Sequence, residues 1–207
     1  MHPVTTKTWP TVRRALVPAC ILLLSLYATL RGEAGLMAMD YNRSAISAGA
    51  WWRLLSAHLV DGSLADWSVN MFGFIAVVVL SAGRISARNL VASMVLLALI
   101  VSGGLYFLNP EVAGYAGFSG VLHGLLTLYI LLETLRGSLS HGLAATLIYG
   151  KVAYEQLVRP DAAMHGIAGF SIVVDAHLYG AAGGFALAIA AYYYARRRAR
   201  HPAPFEG

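Results

Sequence analysis

Residues 116–135 read AGFSGVLHGLLTLYILLETL. Beyond its head the stretch is almost wholly apolar, and a membrane span needs about 20 such residues. At the head a serine, Ser119, stands among glycines, with Gly117 before it and Gly120 after it. Two readings are open. The hydroxyl is a packing device that bonds a backbone carbonyl in a glycine-rich seam, or it is a nucleophile inside a membrane.

Composition supports the membrane setting. The chain has 207 residues, of which 58% are hydrophobic and 12% charged, and its mean hydropathy is +0.64. A soluble domain carries about 25% charged residues. The formal charge of +5 raises nucleic acid as a partner. The basic residues, however, cluster at the ends of apolar runs, which is a topology signal, so no nucleic acid is expected. Cys20 is the single cysteine and lies in an apolar run. It excludes an internal disulfide and a cysteine metal site, and reads as a small apolar filler.

Six apolar runs are predicted to be helical spans, at residues 12–30, 67–82, 90–108, 119–135, 139–158 and 176–195. Asn109-Pro110 ends the third and Arg196-Arg197-Arg198 stops the sixth. The first run could be a signal peptide, but no small-x-small cleavage site follows it, so a retained helix is expected. Residues 32–65 are too long and mixed for a simple link. Their Trp51-Trp52-Arg53 reads as an interfacial aromatic anchor on an amphipathic structure in the outer leaflet. The expected architecture is an all-α membrane protein, one domain over residues 1–207, with short ends at about 1–11 and 196–207.

Basic residues set the orientation. Lys7, Arg13, Arg14, Arg84, Arg88, Arg136, Arg196, Arg197, Arg198 and Arg200 fall on one side, and Arg31, Arg43, Arg53, Lys151 and Arg159 on the other. The excess places both termini in the cytoplasm. The fourth and sixth spans then begin at the outer side, which puts Ser119 and His177 at one depth, reachable by water from outside.

A serine needs a base within hydrogen-bond reach to act as a nucleophile. The histidines near the membrane are His58, His123, His165 and His177. Gly180 and Gly184 follow His177 on one helical face, and Gly120 and Gly124 follow Ser119. Small residues let helices approach closely in lipid. If these faces meet, His177 is drawn to Ser119. His123, one turn after Ser119, is the rival base, or else a supporting donor or an interhelical link. The Ser119 backbone N–H and the Asn70 amide, inside the second span, are candidate donors to an oxyanion. Asn70 also suits a plain interhelical hydrogen bond. Lys151 and Glu155, four apart in the fifth span, read as a buried ion pair that fixes packing, or as a docking point for substrate.

With these residues in view, the chain resembles the rhomboid intramembrane serine proteases. The match rests on GFSG at 117–120, AHLYGAAGG at 176–184, the Trp52-Arg53 pair and Asn70, in an order that holds over nearly the whole chain. Within that family it is most similar to the rhombosortase branch, through GFSGVLHG at 117–124 and GKVAYEQ at 150–156. The resemblance implies a six-span rhomboid fold and a Ser119–His177 dyad without a third carboxylate. It implies that Asn70 and the Ser119 amide bind the oxyanion, and that no metal or cofactor takes part. It further implies a multi-pass protein of the bacterial inner membrane with its site open to the periplasm. The implied substrates are secreted or surface proteins with a C-terminal Gly-Gly motif, a membrane helix and a basic tail. One position departs from the family: Asp66 stands where a histidine usually precedes the asparagine by four residues. A carboxyl there aids an oxyanion only when protonated, whereas an anion suits the start of a helix. Two other classes stay open. One is a catalytically silent, client-binding member of the family, and the other a small ion or proton transporter using Asp66, Lys151, Glu155 and His177.

Overall fold

The computed structural model describes residues 11–81, 84–158 and 173–200. Helix α1 (Thr11–Leu30) contains Pro18 and is followed by short helix α2 (Glu33–Met39). Strand β1 (Tyr41–Asn42), helices α3 (Arg43–Ser47) and α4 (Arg53–Ser56) and a 3-10 turn (Ala57–Leu59) lead to α5 (Leu64–Leu80). Helix α6 (Ala87–Leu108), strand β2 (Gly114–Tyr115) and helices α7 (Ser119–Leu135), α8 (Leu139–Val158) and α9 (Val174–Arg200) complete the order. Side-chain caps mark several starts: the Ser63 oxygen accepts from the Asp66 N–H of α5, and the Ser86 oxygen from the Asn89 N–H of α6.

The protein is mostly helical, with apolar helices suited to a membrane. By length and composition α6 and α9 can each cross one. Two bent pairs raise the number to four if each is one span: α1 with α2, bent by 116°, and residues 53–59 with α5, bent by 93°. Helix α7 is apolar but shorter. At 1.5 Å per residue it extends roughly 25 Å, near the thickness of the hydrocarbon core. Phe72, Phe107, Leu147 and Leu157 are each at least 75% exposed. Isolated apolar residues on a surface need no reason, but a belt of them on several helices fits a lipid-facing surface.

Helix α7 is the hub. It packs on α5, α6, α8 and α9, most extensively on α9. Phe74 and Met71 of α5, Leu97 of α6 and Phe118, Val121 and Leu125 around α7 form one core cluster, with Phe74 edge-on to Phe118. The glycine faces meet as their spacing suggested. A Cβ on Gly180 would strike the Gly120 carbonyl oxygen, and one on Gly184 the Gly124 carbonyl oxygen. Only backbones without side chains on these faces allow α7 and α9 to lie so close.

The 32–65 segment differs from a layer resting at an interface. Tyr41, Ile46 and Ala57 are fully buried against Val101 and Leu105 of α6. An antiparallel pairing of Tyr41 with Tyr115 and Asn42 with Gly114, which apolar periodicity did not reveal, joins the segment to the chain just before α7. The Arg43 guanidinium donates to the Leu105, Asn109 and Val112 carbonyls, capping the C-terminus of α6. Trp51 and Trp52 are exposed, as an anchor requires, but Arg53 turns inward to Asp40 and the Met37 carbonyl.

Candidate functional site

Ser119 opens α7, and the backbone before it is held from three directions. Gly117 has φ +145°, a conformation that side-chain-bearing residues rarely adopt, and its N–H donates to the Ala57 carbonyl at 3.0 Å. The Tyr115 hydroxyl donates to the Gly117 carbonyl at 2.7 Å. The Phe118 N–H donates to Asp61 Oδ1 at 3.2 Å, so a buried carboxylate from the first long segment caps the start of α7. The serine is thereby fixed at a helix start rather than within a regular turn.

His177 lies in the first turn of α9. Its Nε2 is 3.0 Å from Ser119 Oγ, and its Nδ1 is 2.9 Å from Glu155 Oε2 of α8. A carboxylate only accepts, so Nδ1 carries the proton and donates it to Glu155, which leaves the Nε2 lone pair facing the serine hydroxyl. That order of groups, hydroxyl to imidazole to carboxylate, is what activation of a nucleophile requires. The resemblance implied a histidine without a carboxylate. Here Glu155 supplies one, because Glu155 and Lys151 point from α8 toward α9 and α7.

His123 is not placed as the base. Its Nδ1–H donates to the Ser119 backbone carbonyl at 2.7 Å, and its Nε2 accepts from Lys151 Nζ at 3.0 Å. Its ring stacks on His177 at 4.1 Å between centroids and 17° between planes. It is a support between the serine backbone and the lysine. Lys151 also donates to Glu155 Oε1 at 2.6 Å, so the expected i,i+4 pair forms and reaches both histidines. The Gln156 amide donates to the Val174 carbonyl, holding α8 to the start of α9.

His123, Glu155 and His177 bring ligand atoms within 4.8 Å of one another, close enough to hold a metal ion. The Lys151 ammonium already bonds two of these groups, and a fixed positive charge there opposes a divalent cation. The lysine thus serves as a tethered cation for the cluster.

Asn70 and Asp66 have separate partners, and Asp66 takes the helix-start alternative. The Asn70 amide donates to Asp61 Oδ1 at 2.6 Å, leaving its second N–H for another acceptor. The acid beside Asn70 is therefore Asp61. The Asp66 carboxylate accepts from the Ser63 hydroxyl at 2.9 Å and belongs to the cap of α5, although it also lines the shared cavity. Asp61 is 2% exposed, and burial pushes its carboxyl up to about 6 against the pull of its two N–H donors. Sequence reasoning did not single it out. Its only local sign was an acid in an apolar loop nine residues before Asn70.

A cavity of about 700 Å³ connects these groups, with Asp61, Asn70, Ser119, Lys151, Glu155 and His177 in its wall. His58 lies elsewhere, linking to the Ser102 hydroxyl of α6 at 2.9 Å. His165, Lys7 and Arg159 lie outside the described residues. A scan against protein-family models gives no match for this chain, and a search of curated proteins gives none either.

Proposed function

We propose that the chain is an intramembrane serine endopeptidase of the rhomboid type, of the rhombosortase branch. The observation that carries this reading is the Ser119–His177–Glu155 sequence of hydrogen bonds, at 3.0 and 2.9 Å, on the wall of a cavity between apolar helices. In the reaction Ser119 Oγ attacks the scissile carbonyl while its proton passes to His177 Nε2. The imidazolium is stabilised by the Glu155 carboxylate, and it returns the proton to the leaving amine as the peptide bond breaks. Water, with its proton taken by His177, then splits the acyl ester and restores the serine. The free N–H of Asn70 and the Ser119 N–H are the donors assigned to the tetrahedral oxyanion, with Asp61 orienting Asn70. Lys151 keeps Glu155 ionised and His123 in its Nδ1–H form.

In this reading six helices span the bacterial inner membrane, both termini are cytoplasmic and the cavity opens to the periplasm. The substrates are C-terminal tails made of Gly-Gly, a membrane helix and basic residues. The test uses purified full chain with a fluorophosphonate probe and a Gly-Gly-tailed reporter. Labelling and cleavage are expected from the wild type and from neither Ser119→Ala nor His177→Ala. Absence of labelling in an active-folded wild type, or equal cleavage by Ser119→Ala, overturns the reading.

A further inference from the structure

A second cleft, of about 550 Å³, lies at the opposite end of the bundle from Ser119. Helix α7 runs from Ser119 to Leu135, so Arg136 sits roughly 25 Å from the serine along its axis. Three arginines from separate elements line the cleft: Arg84 between α5 and α6, Arg136 after α7, and Arg196 near the end of α9. No carboxylate is among the described lining residues. Glu133, behind the wall, pairs with Arg136 at 2.6 Å and with Arg84 at 3.7 Å, so it offsets one of three positive charges. Each guanidinium has five N–H donors. Arg84 spends one on the Tyr129 hydroxyl and Arg196 one on the Tyr192 hydroxyl, so most remain available. Below the arginines the wall is mostly apolar, formed by Leu96, Leu128, Leu187 and Ala191, with Asn89 and Ser93 of α6 as its polar members.

We propose that this cleft binds an anionic glycerophospholipid, its phosphodiester held by Arg84, Arg136 and Arg196 and an acyl chain lying along Leu128, Leu187 and Ala191. The occupant follows from where the cleft sits and from its two halves. It lies at one end of apolar helices, which in the spanning arrangement proposed above is the level of lipid headgroups, where basic pockets between helices recruit anionic lipid. A free anion would satisfy the arginines but would leave the apolar wall unfilled. A zwitterionic lipid would fill the wall and bring a phosphate, but its ammonium would cancel that charge and leave the arginines without a net counter-charge. Such a lipid ties the end of α7 to the end of α9, the two helices whose other ends hold Ser119 and His177.

The test is independent of the protease reading, since it measures bound lipid and not cleavage. The full chain in detergent is incubated with mixed micelles containing equal parts phosphatidylglycerol and phosphatidylcholine, and bound lipid is measured by native mass spectrometry. The wild type is expected to retain phosphatidylglycerol in preference to phosphatidylcholine, unaffected by excess inorganic phosphate. The triple variant Arg84→Gln, Arg136→Gln, Arg196→Gln should weaken that binding by about a hundredfold. The control Arg197→Gln, Arg198→Gln, Arg200→Gln removes equal charge from the same end and should retain the preference. Ala191→Trp, which keeps every charge, should block the acyl groove and lose the lipid. It carries the test if the triple variant does not fold. Equal retention of both lipids by the wild type, displacement by phosphate, equal loss in the control, or full binding by Ala191→Trp would each overturn the proposal.

Discussion

Glu155 Oε2 lies 2.9 Å from His177 Nδ1 and joins the last turn of α8 to the first turn of α9. The bond selects the tautomer in which Nε2 is free to accept from Ser119, and it is itself held by Lys151 on the other carboxylate oxygen. Glu155→Gln should therefore lower kcat for a Gly-Gly-tailed reporter by about a hundredfold or more, with KM little changed, because an amide neither selects that tautomer reliably nor stabilises an imidazolium. Steady-state kinetics on the purified variant check this. Wild-type kcat in Glu155→Gln would leave a two-residue mechanism.

His177→Ala and His123→Ala should separate cleanly. The first removes the ring nitrogen that, among the described residues, faces the Ser119 hydroxyl, and should abolish cleavage. The second removes a support of the Ser119 carbonyl and should leave measurable turnover. Reporter cleavage by the two variants is the measurement, and an exchange of phenotypes would name His123 as the base.

Gly180→Leu and Gly184→Leu should each lower thermal stability, by about 1–3 kcal/mol or more as overpacking does, and should also disable the site. An added Cβ at either position meets a carbonyl oxygen of α7, so α9 has to move away and carry His177 with it. A displacement near 1 Å can lower rate about a hundredfold. Melting curves and cleavage rates measured together test both parts. Two variants with unchanged melting would contradict the close packing.

Asp61 makes a pH prediction that does not depend on enzymatic activity. Its folded carboxyl is raised to about 6 from 3.8. Between those values the unfolded chain gives up the proton first, so the folded state binds more protons. The contribution of Asp61 to stability is then present below pH 3.8 and declines as pH rises toward 6. Asp61→Asn should remove that decline while keeping a carbonyl to accept from Asn70 and the Phe118 N–H. The difference between wild-type and variant melting temperatures across pH 4 to 7 measures it, and a constant difference would refute the assignment. Asp66→Asn, which alters the cap of α5 and removes a like charge that helps raise the Asp61 carboxyl, should reduce this pH-dependent decline without abolishing it.

The helices and their small-residue faces were legible in the sequence because both are local properties. Apolar runs locate α1 and α5 to α9, and a glycine every third or fourth residue marks the side on which a neighbour can approach. The alternation of apolar runs put Ser119 and His177 at the same end of their helices, and the structure sets them 3.0 Å apart. What required the tertiary structure was direction across helices. Whether Glu155 meets His177 or merely Lys151 depends on the rotation of α8 about its axis, which its two interior charges do not specify. Asp61 was hidden for a related reason. Its partners are Asn70 on α5 and the Phe118 N–H beside α7, and they come together only when residues 32–65 fold onto the bundle through the Tyr41–Tyr115 pairing and the Arg43 cap. A buried carboxylate is stable only where donors from elsewhere converge on it. No spacing along one segment records that convergence.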